Sequence, residues 1–216
     1  IRLVNADPVI IPTTASSNFK MKGHQLAEAI TPYTKMIILN SPNNPTGTYY
    51  TEEDLQMLAN VLVDHPKIII LSDDVYEKIL WESEPFKNIV NAVPSFKSRC
   101  IIVNSLSKTY AMTGWRLGYA AASTEIIEAM TKIQSQTTTN PCSISQVAGI
   151  SALSKHSTQP INEMVSKYHT RFTYVCERLR ALPGVELSES HGAFYVFPNV
   201  TELIKKLKLK DDIELC

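Results

Sequence analysis

Short apolar runs alternate with amphipathic stretches along most of this chain. Lys35–Leu39, Lys67–Leu71 and Cys100–Val103 are brief, largely β-branched and bounded by polar turns, as buried strands are. Each delivers a polar cluster. Asn40-Ser41-Pro42-Asn43-Asn44-Pro45-Thr46-Gly47 follows the first, Ser72-Asp73-Asp74-Val75-Tyr76 the second, and Asn104 with Ser105-Leu106-Ser107-Lys108 the third. Leu117–Ala122 reads as a fourth strand. Only about a dozen residues separate it from the third, close to the minimum for a parallel crossover, so it is expected to run antiparallel.

Helical spacing fills the intervals. Leu55, Leu58, Val61 and Leu62 share one face of a helix that Thr51 can cap, with Glu52, Glu53 and Asp54 in the dipole-favoured first turn. A second helix starts near Thr124 and carries Ile126, Ile127, Met130 and Ile133, and Ser143–Leu153 is a third. The longest spans about Gln159 to Leu182, from Ile161 and Met164 through Tyr168 and Phe172 to Leu179, until Pro183-Gly184 stops it. Two short strands are expected after it, Val185–Leu187 and Ala193–Phe197. The order implies an α/β layer first and a smaller α+β segment afterwards, with the boundary inside the long helix.

Composition narrows the function classes. Of the 216 residues, 44% are hydrophobic, ample for a packed core. Lys+Arg and Asp+Glu both number 21, a balance that argues against broad electrostatic binding of nucleic acid or an anionic membrane. The cysteines, Cys100, Cys142, Cys176 and Cys216, form no CxxC pair, and the histidines show no metal-ligand spacing, so no metal is expected. No apolar run is long enough for a membrane span and no signal peptide is evident, which makes a reduced, cytoplasmic setting the expectation. Asn199-Val200-Thr201 matches a glycosylation sequon, read here as chance. The chain opens at Ile1 without a methionine and closes on Lys210–Cys216, which reads as a helix start; a fragment is expected.

The chemistry concentrates in Ser105–Arg116. Lys108 stands among hydroxyls at a strand end, and Arg116 follows eight residues later, past Gly114. A lysine so placed can form a Schiff base, and hydroxyls with a guanidinium can hold a phosphate, which together are the requirements of a pyridoxal-phosphate site. The three polar clusters all fall at carboxyl ends of expected strands, the edge where open α/β sheets bind ligands. Singly, each has a plain structural reading: Asn43–Gly47 is good turn chemistry, Asp73 or Asp74 could cap a helix, Tyr76 could be core, Arg116 an ion-pair partner and Ser105 an N-cap.

In sequence order, Asn43-Asn44-Pro45-Thr46-Gly47, Ser72-Asp73-Asp74-Val75-Tyr76-Glu77 and Ser105-Leu106-Ser107-Lys108-Thr109-Tyr110-Ala111-Met112-Thr113-Gly114-Trp115-Arg116 resemble the class I/II aminotransferases. The resemblance runs from about Ile1 to Pro198 and includes Gly192-Ala193-Phe194-Tyr195. It implies a three-layer α/β/α fold with a mostly parallel sheet of the PLP-dependent transferase type. Residues 1–165 would belong to the large cofactor-binding domain, and 166–216 would continue the long helix into a smaller C-terminal domain. It implies pyridoxal 5'-phosphate, with Lys108 as the Schiff-base lysine and Asp73 paired with the pyridine nitrogen. Tyr76 would sit on the cofactor's 3'-oxygen, Asn44 on that oxygen and the substrate carboxylate, and Ser105, Ser107 and Arg116 on the phosphate. Gly114 and Gly118 would let backbone approach the site, while Trp81 and Trp115 fit structural roles better than cofactor stacking. Thr137–Pro141 resembles a segment that approaches the partner subunit's site in a homodimer.

Other segments the family places before and after this region are missing, so the full-length protein is expected to be active and the fragment inactive. The implied reaction moves an amino group between an amino acid, with aspartate favoured and aromatic ones open, and a 2-oxo acid such as 2-oxoglutarate. The alternatives are a carbon–sulfur lyase using the same cofactor and an aminotransferase-like ligand-sensing domain of a regulator. A nicotinamide-dependent Rossmann enzyme is disfavoured, because no GxGxxG follows the early strands.

Overall fold

The first four apolar runs become strands, each close to its expected place. The computed structural model describes residues 1–216. Helix α1 (Gly23–Ala29) precedes β1 (Met36–Asn40), α2 (Glu52–Leu62) leads to β2 (Ile69–Asp73), and α3 (Ile89–Ala92) leads to β3 (Cys100–Ser105). A single turn, α4 (Leu106–Thr109), then joins β3 to β4 (Gly118–Ala121). The sheet order is β1-β2-β3-β4; the first three strands are parallel, and β4 pairs antiparallel with β3 as the short link required.

One face of the sheet is closed by helices. Leu39, Ile70 and Cys100 from the strands pack with Leu26, Leu55, Leu58, Leu62, Ile89 and Phe96. Leu55, Leu58 and Leu62 of the expected stripe on α2 are buried, but the fourth inward position is the fully buried Ala59, and Val61 is only partly buried. On the opposite face Met36 and Ile38 of β1 remain exposed.

Helix α2 is fixed at both ends. At its start the Thr51 hydroxyl accepts from the Asp54 amide, and the Asp54 carboxylate accepts from the Thr51 amide. Lys20 closes the arrangement with its ammonium 2.5 Å from Asp54 Oδ2. At the other end the Arg99 guanidinium donates to the carbonyls of Leu62, His65 and Ile68 at 2.8, 2.8 and 3.1 Å. A helix leaves its last carbonyls unpaired, and a planar fork of donors can serve several at once.

The second half is helical. Helices α5 (Thr124–Ser135), α6 (Ser143–Ala152) and α7 (Thr158–Arg180) follow the sheet. They precede the small pair β5 (Glu186–Leu187) and β6 (Pro198–Asn199), then α8 (Thr201–Leu207) and α9 (Asp212–Leu215). No helix is long and apolar enough to cross a membrane.

The expected strand over Ala193–Phe197 does not form; pairing is confined to Pro198–Asn199. Gly192 instead bridges Leu80, the Ala193 amide donates to the Ile79 carbonyl at 2.7 Å, and Ala193 takes a left-handed φ of 57°. That turn breaks the alternation of a strand and sends both Phe194 and Tyr195 towards Tyr76.

The chain exposes 14067 Å², against roughly 10,000 Å² for a compact monomer of this size. Part of the excess is a stripe on α6, where Ile144, Val147 and Ile150 are all well exposed.

Two stability effects follow. Burial alone would raise the Asp54 carboxyl, but the Lys20 ammonium and the Thr51 amide hold it below its usual range. A carboxyl depressed in the folded state stabilises above its unfolded pKa, and that contribution is lost as pH falls through the folded value. In the full-length protein, Asp54→Asn is expected to cost about 1–2 kcal/mol at pH 7. The gap from wild type should close as pH drops below the ordinary aspartate range, as read from urea midpoints at stepped pH. Arg99→Ala is expected to cost about 2 kcal/mol by the same measurement, with Arg99→Lys restoring only part, since an ammonium cannot span three carbonyls.

Candidate functional site

Parallel pairing places Asn40 opposite Asp73 and Asp73 opposite Val103. The three polar clusters therefore leave the sheet at one edge. Within the turn after β1, Asn40 and Asn43 do the holding. The Asn40 side chain accepts from the Asn44 amide at 3.0 Å and donates to the Asp73 carbonyl at 3.3 Å. Asn43 Oδ1 accepts from both the amide and the hydroxyl of Thr46. Asn44 is left exposed, with its side-chain amide beside the Tyr76 phenol, whose pKa it pulls down.

Gly47 closes this turn at φ 70°, and its carbonyl accepts from the amides of His191 and Gly192 at 3.0 Å each. A Cβ there would stand 2.9 Å from the Gly192 carbonyl, so only glycine allows the contact. The turn is thereby locked to the segment that carries Phe194 and Tyr195.

The two aspartates after β2 divide. Asp74 is 2% exposed and accepts from Ser72 Oγ at 2.6 Å and from Asn88 Nδ2 at 2.7 Å. Asn88 in turn caps α3. Burial pushes the Asp74 carboxyl up while these two donors pull it down. Asp73 is half-buried; its carboxylate accepts only from the Val75 amide, at 3.3 Å, and is in no ion pair. Burial raises its carboxyl as well, with only that amide opposing.

Tyr76 is 3% exposed and its hydroxyl lies 2.5 Å from that of Tyr195. Its ring meets Phe194 and Tyr195 edge-on at 5.5 and 5.7 Å. Burial first, then the Tyr195 hydroxyl, raise the Tyr76 phenol far above its ordinary value.

Ser105 caps α4: its hydroxyl accepts from the Ser107 amide at 3.0 Å, lies 2.8 Å from the Ser107 hydroxyl and donates to the Leu117 carbonyl at 3.2 Å. Lys108, one turn on, is half-buried and also in no ion pair. Its ammonium stands 5.9 Å from the Tyr76 ring and 5.5 Å from that of Phe194. The neighbouring Thr109 hydroxyl is buried without a hydrogen-bond partner.

Lys108 thus stands over the Tyr76 ring with the Asn44 side chain beside the Tyr76 phenol, Ser105 pairs with Ser107, and Asp73 occupies the adjoining strand end. Arg116 stays apart: it is exposed, in a left-handed conformation (φ 52°), and donates to the Thr113 carbonyl at 2.7 Å. Of the two glycines in that stretch, Gly118 is needed, since a Cβ would lie 2.8 Å from the Asn104 carbonyl, while Gly114 faces open space. Trp81 is a packing residue, stacked on His169 at 5.4 Å and donating to the Ser190 carbonyl. Trp115 is exposed.

Phe194 and Tyr195 joined the site only through the fold. Two adjacent aromatics after a Gly-Ala step are a signal that both could turn to one side, but the expected strand assigned them to opposite faces.

Known proteins resemble this chain throughout. The family described as aminotransferase class I and II matches residues 1–213. An aspartate/prephenate aminotransferase of Nitrosomonas europaea is 41% identical over 214 residues, 99% of this chain and 54% of the relative. An aspartate aminotransferase of Bacillus subtilis is 39% identical over 98% of this chain and 53% of its own length. The chain spans about half the length of the curated relatives it matches. Among solved structures, the aspartate aminotransferase of Rhizobium meliloti superposes with a TM-score of 0.87 at 40% identity, covering 90% of this chain and 48% of that one. An aromatic aminotransferase of Pyrococcus horikoshii gives 0.83 at 38%, covering 88% and 51%. The fold is therefore the α/β fold of the pyridoxal-phosphate-dependent transferases. With a matching family, relatives near 40% identity and a superposable fold, the chain belongs to the class I and II aminotransferases.

Proposed function

We propose that the full-length protein is an aminotransferase that exchanges an amino group between an amino acid and a 2-oxo acid such as 2-oxoglutarate. Aspartate is the first-choice donor and aromatic amino acids the next. The single observation that carries this reading is the pair of unsatisfied opposite charges at adjoining strand ends: the Lys108 ammonium against aromatic rings, and the Asp73 carboxylate without a cation. Relatives named for aspartate, prephenate and aromatic substrates support the substrate class. The lyase and ligand-sensing alternatives find no support among them.

The family uses pyridoxal 5'-phosphate, and the residues present fit it. A half-buried carboxylate raised by burial is stabilised by a cation beside it, which a protonated pyridine nitrogen offers. The linked hydroxyls of Ser105 and Ser107 suit a phosphate. When bound, the cofactor supplies an electron sink for a bond broken at the substrate α-carbon.

Each residue then has a defined task. Lys108 carries the covalent attachment through its amine and, once displaced by the substrate, moves the proton at the α-carbon. Asp73 keeps the ring nitrogen protonated. Tyr76 donates to the 3'-oxygen, and Asn44 holds the same oxygen and the substrate carboxylate. Ser105 and Ser107 hold the phosphate, and Arg116 completes the set by leaving the Thr113 carbonyl for a bidentate grip.

Residues 1–165 form the large-domain part and 166–216 the start of a smaller domain. The working unit is a homodimer, which the exposed Thr137–Asn140 segment and the apolar stripe on α6 support.

Lys108→Ala in the full-length protein is expected to abolish the visible band of the attached cofactor and to cut kcat by on the order of 10³-fold or more. Formation of glutamate from aspartate and 2-oxoglutarate, followed with the absorbance spectrum, checks both. A variant that keeps the attached-cofactor spectrum would sink the lysine assignment. Asp73→Asn is expected to retain attachment but lower kcat by about 10²-fold, since it removes the charge that favours the protonated ring.

A further inference from the structure

The 2.5 Å contact between the hydroxyls of Tyr76 and Tyr195 joins residues 119 positions apart and lies in the site described above. A phenol has one proton to give and can also accept. In this pair one hydroxyl donates and the other accepts. If Tyr76 turns its proton to a bound cofactor's 3'-oxygen, its own oxygen can only accept, and the hydroxyl already in hydrogen-bond contact with it is that of Tyr195, with the Asn44 amide beside the same phenol.

We propose that Tyr195 is a positioning residue whose hydroxyl donates to Tyr76, aims the Tyr76 proton at the cofactor oxygen and strengthens that hydrogen bond. This rests on the proposed pyridoxal-phosphate reading and extends it to a residue of the C-terminal segment. Three features support it.

Tyr195 is not free to drift. The turn before it is pinned by the Ala193 amide on the Ile79 carbonyl at 2.7 Å and by the amides of His191 and Gly192 on the Gly47 carbonyl. Both anchors belong to segments that carry site residues, Asn44 on one side and Tyr76 on the other.

Secondly, the ring packing leaves the pair in an apolar setting. Tyr76, Phe194 and Tyr195 contact one another with centroids 4.9 to 5.7 Å apart, and Tyr168 of α7 backs Phe194 at 5.2 Å. In such surroundings a chain of hydroxyl bonds polarises its members, so a donor behind Tyr76 makes it a better donor in front. Thirdly, the Lys108 ammonium lies over the faces of both Tyr76 and Phe194, so the same aromatic cluster contacts the reactive amine.

The test is spectroscopic. Loss of the proton from the Lys108–cofactor linkage leaves the 3'-oxygen anionic and unopposed, and a donor to that oxygen favours this form and lowers the pH midpoint of the visible band. In the full-length holoenzyme, Tyr76→Phe should raise the midpoint. Tyr195→Phe, which keeps the ring packing, should raise it in the same direction by less, about half a pH unit. The double variant should go no further than Tyr76→Phe alone, because Tyr195 acts only through Tyr76. The apoprotein's Kd for pyridoxal phosphate, measured by fluorescence, should weaken about 2- to 3-fold in Tyr195→Phe. An unmoved midpoint and Kd in Tyr195→Phe, or a fully additive double variant, overturns the role of Tyr195 while the Tyr76→Phe shift keeps the underlying reading. If Tyr76→Phe itself leaves the midpoint in place, both the placement of Tyr76 and the relay through Tyr195 are overturned.

Discussion

Because β1, β2 and β3 run parallel, three segments far apart in sequence must leave the sheet at the same edge, side by side. That register carries the rest of the site. It sets Asn40 against Asp73, so that one asparagine side chain can hold both the turn after β1 and the carbonyl at the end of β2. It also brings the capped turn with Ser105, Ser107 and Lys108 beside the Asp73–Tyr76 segment. A one-residue slip in any strand would exchange inward and outward faces and separate the charges. The core under the helix face, with Leu58, Leu62 and Ile70 fully buried, is what makes such a slip costly.

At this edge, neighbouring residues of the same type are split between those held by hydrogen bonds within the fold and those left open. Asn43 is consumed by Thr46, whereas Asn44 is presented outward. Asp74 is satisfied by Ser72 and Asn88, whereas Asp73 keeps a carboxylate with one weak amide contact. The satisfied member of each pair holds the backbone so that the other can remain unsatisfied. Unpaired charge is costly to maintain, and the fold meets that cost with the buried hydrogen bonds of its neighbour. A ligand able to pair with the free member therefore finds a site organised before it arrives.

Much of this was legible in the sequence, for local reasons. The four strands of the main sheet, the antiparallel β4 among them, and the Thr51 cap follow from short-range pattern and link length, and all appear in the structure. Choosing Asp73 over Asp74 was not a local matter. The family resemblance singles out Asp73, but the residues alone leave both as possible caps; what separates them physically is Ser72 and Asn88, the latter 14 residues beyond Asp74. The misplaced strand at Ala193–Phe197 failed for the same reason. Alternation of apolar residues cannot register that Gly192 and Ala193 are bound to Leu80 and Ile79 more than 100 residues earlier. Tyr195 and Phe194 entered the site through that long-range clasp, so no reading by periodicity could place them.

The clasp also joins the two halves of the chain through a small number of contacts. Trp81 stacks on His169 of α7 and donates to the Ser190 carbonyl, Gly47 receives two amides from the same region, and Tyr195 reaches Tyr76. Any shift of the segment after α7 relative to the sheet must therefore strain either the Gly47 bonds or the tyrosine pair. A left-handed turn with no tolerance at Gly47 for a side chain is a stiff anchor, while two hydroxyls can reorient by rotating their protons. The tyrosine pair is thus the adjustable joint, and it lies against the lysine. In this arrangement the position of the C-terminal segment and the hydrogen bonding of the Tyr76 hydroxyl are coupled by one short contact, which makes the segment part of the candidate site and not only its cover.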